Sequence, residues 1–280
     1  MKYGLNIFVT DYAMPATDLA REAEARGFES LWFPEHTHIP CSRATPFPGG
    51  GDLPQHYYDT FDPFVTLGAC AAVTSTLRLA TGIALVIERD PIVLAKEVAT
   101  LDRISNGRAI LGIGGGWNVE EMNNHGTDSK TRWKLLRERV EAMKAIWTQE
   151  RAEYHGELVD FDPIFSNPKP VQKPHPPVVL GSHGKKGIER VVRYCDGWIP
   201  IGVFAKPERD MVHLRAAATA AGRDPESIEV SLFGVAPDAE QLRSSRDAGI
   251  SRVVFGLPSA PAEKLLPMLD RFAALMKEVG

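Results

Sequence analysis

The chain has 280 residues, with 32 Lys and Arg against 36 Asp and Glu, for a formal net charge of −4. That mild acidity argues against nucleic acid as the main partner, because phosphate backbones are met by a basic face. Hydrophobic residues make up 44%, enough for a sizeable core, and no apolar run reaches the roughly 18 residues of a membrane span.

The opening M-K-Y-G-L-N-I-F-V-T is too short for a signal peptide and lacks a cleavage site, so it reads as a first strand at 5–9. Cys41, Cys70 and Cys195 are scattered and form neither a metal-ligand pair nor an even disulfide set, so a reducing cytoplasm is expected. A helix at 16–26 is closed by Gly27. A strand at 30–33 runs into Pro34-Glu35-His36-Thr37-His38, and a long Pro/Gly-rich excursion follows through Pro54. Asp62-Pro63 and Asp90-Pro91 each start a helix, since Asp caps and Pro suits the first helical position. Between them lies a strand at 77–86 with Gly82 inside, which suggests a bulge or a close backbone contact.

Residues 109–113 form a short apolar strand that ends in Gly114-Gly115-Gly116, then Trp117, Asn118 and an acidic helix start at Glu120 and Glu121. Glycines let a backbone approach a ligand closely, and free N–H groups at a helix start suit an anion, most often a phosphate. The rival reading is a plain tight turn. Leu136, Val140, Met143 and Trp147 then make a helical stripe, and 154–161 looks like a hairpin, followed by a proline-rich stretch to 177. A strand at 178–180 ends in Gly181-Ser182-His183-Gly184. Helices at 188–194, 207–221, 239–247 and 261–277 alternate with strands at 197–200, 228–233 and 252–255.

Eight strand–helix units in this length predict a (β/α)8 TIM barrel, one domain over 1–280 with an insertion at about 151–177. The rival doubly wound sheet would more often place its glycine fingerprint after the first strand, where Thr10-Asp11-Tyr12 stand. In a barrel the site is built from the loops after the strands. Candidates are therefore Glu35, His36 and His38; Gly82 and Ile83; Gly114 to Asn118; Gly181 to Gly184 with Lys185 or Lys186; and Gly202. His36 and His38 as a metal pair fit poorly, because barrel hydrolases with such a pair usually carry it after strand one, with an Asp after strand eight. His36 reads either as a loop hydrogen bonder or as facing a cofactor. Trp117 reads equally as core cover or as the wall of a planar ring. Tyr57 and Tyr58 either pack their loop or touch substrate.

These stretches resemble the luciferase-like monooxygenase superfamily, in particular its branch using the deazaflavin coenzyme F420. The carrying segments are S-L-W-F-P-E-H at 30–36, T-G-I-A-L-V-I-E-R-D-P at 81–91 and A-K-E-V-A-T-L-D-R-I-S-N-G-R-A-I-L-G-I-G-G-G-W-N at 95–118. V-V-L-G-S-H-G at 178–184 and C-D-G-W-I-P at 195–200 complete the set. The resemblance implies Glu35 and His36 over the reactive ring, and a non-proline cis peptide at Gly82-Ile83 backing it. It places Gly114, Gly115 and Gly116 along the cofactor tail, and the phosphate with Gly181, Ser182, His183 and Gly184.

The implied activity is hydride transfer between F420 and a small organic substrate, with His36 giving or taking a proton and Glu35 orienting it or serving directly. The excursion at 39–61 would cap the pocket, with His38, Tyr57 and Tyr58 toward substrate. Relatives that oxidise sugar phosphates carry an acid where Trp117 stands, so a lactone-forming oxidation of that type is not expected. The alternatives are an FMN-dependent two-component monooxygenase served by a separate reductase, a non-catalytic F420 or flavin binder, and a phosphate-binding isomerase or lyase. A homodimer through helices two and three is expected by the same analogy.

Overall fold

Eight parallel strands close on themselves in the computed structural model, which describes residues 1–202 and 204–280. The first half runs β1 (Lys2–Asn6), α1 (Ala16–Ala25), β2 (Ser30–Phe33), α2 (Pro63–Ala71), β3 (Arg78–Thr81), α3 (Pro91–Ile104) and β4 (Ala109–Ile113). Then come α4 (Val119–Asn124), α5 (Arg132–Thr148) and an antiparallel hairpin of β5 (Ala152–His155) and β6 (Asp160–Ile164). The second half runs β7 (Val178–Gly181), α6 (Gly184–Tyr194), β8 (Gly197–Ile199), α7 (Pro207–Ala220), β9 (Glu229–Phe233), α8 (Ala239–Asp247), β10 (Arg252–Gly256) and α9 (Ala262–Val279). Around the barrel the order is β1-β10-β9-β8-β7-β4-β3-β2, so the hairpin lies outside the closed sheet.

Local chemistry sets many of the boundaries. The Asp62 side chain accepts from the Val65 N–H with Pro63 following, and Asp90 accepts from Ile92 and Val93 with Pro91 following. Gly27 takes φ +80° after α1, where a side chain would be strained. Two strands sit differently from the sequence reading. The first pairs over Lys2 to Asn6, because its register is dictated by β10, from Lys2 opposite Arg252 to Asn6 opposite Gly256. Ile7 and Val9 are buried all the same, so the apolar run at 5–9 marks core contact as the chain leaves the ladder. The third ends at Thr81; beyond it Ala84 keeps one bridge to Ile113, and Val86–Glu88 winds into a 3₁₀ turn.

The barrel interior is filled by Trp32, Ala80, Ile110, Val179, Ile199, Phe233 and Val254, one residue from each strand from β2 to β10 except the hairpin pair. A larger layer between strands and helices surrounds it. The N-terminal end is stopped by Arg252, fully buried at 0% exposure. Its guanidinium donates from Nε and Nη2 to Glu29 at 2.8 Å each, and from Nη1 to Ser231 at 2.8 Å and to Glu229 at 3.2 Å. Burial alone would raise the Glu29 carboxyl, yet the hydrogen bonds and charge of Arg252 hold it below its usual range.

Removing one partner of a buried pair strands the other charge. Arg252→Ala is therefore expected to lower unfolding free energy by about 3–5 kcal/mol, read from denaturant melts. Arg252→Met, which refills the volume without restoring the charge, should recover only part of that loss.

Candidate active site

The loop after β2 carries two adjacent ionisable residues, and the structure gives them separate duties. Glu35 is 3% exposed. It accepts from the Leu85 N–H at 2.6 Å and from Arg89 Nε at 2.7 Å. Arg89 also binds Asp62 at 2.5 Å and Glu97 at 3.1 Å. Glu35 is thus a staple joining the β2 loop to the segment after β3 and to the start of α2, and its carboxylate is fully engaged. It does not orient His36, as the sequence suggested it could.

Glu121 does that instead. His36 Nδ1 lies 2.7 Å from Glu121 Oε2, with the two side chains 7% and 1% exposed. A carboxylate oxygen accepts, so Nδ1 donates to Glu121, and Nε2 makes no hydrogen bond among the described residues. Glu121 reaches this place because Asn118 caps α4, its side chain accepting from the Glu121 N–H at 3.4 Å. The sequence signal for Glu121 was an acidic first turn right after the glycine strand, which serves equally well as ordinary helix-start chemistry.

Aromatic rings surround His36. Tyr57 lies 5.3 Å and Trp117 5.9 Å from it, centroid to centroid. Phe47 closes the ring of contacts, 5.2 Å from Tyr57 and 5.9 Å from Trp117. Phe47 and Tyr57 both come from the excursion between β2 and α2, which therefore covers this mouth of the barrel. Tyr58 lies apart from these rings in its contacts: it is exposed, and its hydroxyl accepts from Arg43 at 3.0 Å. His38 turns toward α4, where Asn124 and Thr37 hold its ring at 2.8 and 2.9 Å.

Gly82-Ile83 is a cis peptide. The Ile83 side chain explains two of the neighbouring glycines. A Cβ on Gly114 would stand 2.5 Å from Ile83 Cδ1, and one on Gly181 would stand 3.1 Å from Ile83 Cγ2. A Cβ on Gly115 would meet the Trp133 ring at 2.8 Å, and Gly116 takes φ +64°. The sequence left a close ligand and a plain tight turn as rival readings of this run; in the structure each glycine answers to a protein neighbour or a turn.

The loop after β7 is different. Ser182 is 8% exposed, and its hydroxyl has no hydrogen-bond partner among the described residues. It stands at the head of α6, where the first N–H groups of a helix are free and Gly184 takes φ +65°. Gly187 leaves the room, since a Cβ there would lie 2.7 Å from Ser182 Oγ. A buried unpaired hydroxyl is costly, and an anion at this helix start would satisfy it. His183, at the same turn, is exposed and packs its ring 5.3 Å from Phe204.

Glu88 is a third carboxyl buried near the mouth. Burial, then the Glu121 and Glu35 carboxylates, push it up to about 9, against the lowering pull of Arg139 and Arg89. Its Oε2 has no hydrogen-bond partner among the described residues and lies 3.7 Å from His125 Nε2.

Residues 10–268 match the family described as luciferase-like monooxygenase. The chain is 44% identical over 278 residues to an uncharacterized protein of Mycobacterium tuberculosis, covering 98% of each. A solved monooxygenase from Streptomyces bottropensis superposes with a TM-score of 0.80 at 21% identity, over 99% of both chains. An F420-dependent secondary alcohol dehydrogenase, solved with an F420–acetone adduct, gives a TM-score of 0.79 at 19% identity, over 100% of this chain and 99% of that one. At such identities these two structures bear on the fold.

The Glu88 environment has a consequence for stability. A carboxyl whose folded pKa lies above its unfolded value helps most below the unfolded value and loses that contribution as pH rises through the folded one. For Glu88 the window runs from the ordinary 4.5 to about 9. Glu88→Gln stays neutral throughout, so it is expected to match the wild-type melting temperature near pH 4.5 and to exceed it by roughly a few degrees at about pH 8. Thermal melts across that range check it.

Proposed function

This chain belongs to the luciferase-like monooxygenase family, and from that premise we propose that it is an oxidoreductase exchanging a hydride between coenzyme F420 and a small organic substrate. The observation that carries the proposal is the separation of two devices on one rim. A histidine with one nitrogen fixed and the other free lies after β2; an unpartnered buried hydroxyl at a helix head lies after β7. In the barrel β3 and β4 stand between them. Three strand spacings of about 4.8 Å make roughly 14 Å. A ligand serving both must be long, with a reactive group at one end and an anion at the other, as a flavin or deazaflavin phosphate is.

Ser182, Gly181 and the head of α6, with Lys185 beside it, would hold the phosphate, and Gly82-Ile83 would lie beneath the ring. When bound, such a cofactor brings two-electron hydride exchange with an organic substrate. The chain supplies the rest. His36 Nε2 gives or takes the substrate proton, while Glu121 keeps Nδ1 protonated and the ring in place. Phe47, Tyr57 and Trp117 shield the pocket from water. Trp117 offers no carboxylate, which speaks against alcohol-to-lactone chemistry.

We read residues 1–280 as a single barrel domain that works as a homodimer. Val65 on α2 and Val93 and Ile104 on α3, each more than half exposed, support pairing through those two helices.

Equilibrium titration with F420 and with FMN tests the cofactor: preference for F420 is expected, and preference for reduced FMN would turn the reading to a two-component monooxygenase. His36→Ala should leave F420 affinity within about twofold and lower turnover by roughly 10²–10⁴, measured with whichever alcohol or carbonyl substrate the wild type accepts. Unchanged turnover would remove His36 from the chemistry. Glu121→Gln should fall between the two and shift the pH profile, as expected of a residue acting through His36.

A further inference from the structure

α5 and α6 run side by side, and between them lies a groove of about 440 Å³. Its walls are cationic: Lys134 and Arg137 come from α5, and Lys186, Arg190 and Arg193 from α6. Glu189 is the acid among the lining residues. In a chain of net charge −4, this concentration of positive charge runs against the composition. Lys134 is already paired with Glu157, and Arg137 stands 3.8 Å from Glu138 and 3.9 Å from Glu141. Lys186, Arg190 and Arg193 have no carboxylate within 4.0 Å among the described residues. The Arg190 guanidinium lies over the Trp133 ring, 4.1 Å from its centroid, which holds it in place without neutralising it.

The groove also contains a polar group with nothing to bind. Tyr194 is 7% exposed, and its hydroxyl has no hydrogen-bond partner among the described residues. Burial raises the phenol further above its usual range, so it remains a donor. A buried donor without an acceptor is costly, and an anion in the groove would supply one. One end of the groove adjoins the phosphate cradle. Trp133, which lines it, also fills the space behind Gly115, and Lys186 lies in the first turn of α6 beyond Ser182.

We propose that this groove binds an oligocarboxylate chain continuing past the cofactor's phosphate. The proposal rests on the cofactor reading above and sharpens it: coenzyme F420 carries glutamates beyond its phosphate, whereas FMN ends there. Unpaired guanidinium groups confined to one groove make charge-assisted hydrogen bonds to carboxylates, and these weaken with salt.

The test compares F420 bearing several glutamates with the glutamate-free form, using the full chain at low and high salt. The longer form is expected to bind roughly tenfold more tightly at low salt, with the difference shrinking at high salt. Arg190→Gln with Arg193→Gln should abolish that difference while leaving the affinity for the glutamate-free form unchanged. Tyr194→Phe should reduce the difference without affecting the fold by circular dichroism. Equal affinity for both forms would overturn the proposal. If neither deazaflavin binds, the cofactor reading fails, and a free tri-γ-glutamate peptide then decides the groove. Salt-sensitive quenching of Trp133 that disappears in the double variant upholds it, and no binding overturns it.

Discussion

The hydrogen bonds between β1 and β10 close the sheet, and the remainder of the molecule follows from that closure. A closed parallel sheet has no free edge and brings every strand's C-terminal end to one rim. Its interior must then be filled from all sides, which Trp32, Phe233 and their neighbours do. Its N-terminal end is stopped by Arg252 and the two glutamates that hold it. With that end closed by an ion cluster, chemistry is left to the opposite rim, where the loops after β2, β3, β4 and β7 meet.

Much of this was readable along the chain. The strands Ser30–Phe33 and Ala109–Ile113 and the helix Ala239–Asp247 fall where apolar runs and caps put them, because each is specified by residues next to one another in sequence. Asp62-Pro63 and Asp90-Pro91 are local in the same sense. The first strand was misplaced because its extent depends on a partner about 250 residues away. A run of apolar side chains reports burial, and burial continues at Ile7 and Val9 after ladder pairing has stopped.

The site was legible to a lesser degree, for the same reason. His36, Ser182 and the Gly82-Ile83 peptide could be picked from their places after strands. The partner of His36 could not, since His36 and Glu121 stand 85 positions apart and are brought together only by the fold. Glu35 seemed the natural partner because it is adjacent, but side chains of neighbouring residues in an extended segment point apart, and Glu35 faces Arg89. The glycines of 114–116 show a related limit. Sequence tells that a side chain is absent there, and only the structure tells whether Ile83, Trp133 or a ligand takes the space.

Charge is distributed unevenly along the rim. Near His36 three carboxyls are buried together: Glu35 is answered by Arg89, Glu121 by the His36 N–H, and Glu88 by remaining protonated near neutral pH. That end is walled by rings and keeps the buried Glu121 carboxylate, so it would suit a planar group that carries no anion of its own. The end at α6 has a buried hydroxyl, free helix N–H groups and three cations lacking carboxylate partners among the described residues. A ligand that is flat and neutral at one end and anionic at the other fits this rim in one orientation only, because reversing it would set phosphate against buried carboxylates. Under the proposed function, that polarity would set the reactive end of such a ligand at His36.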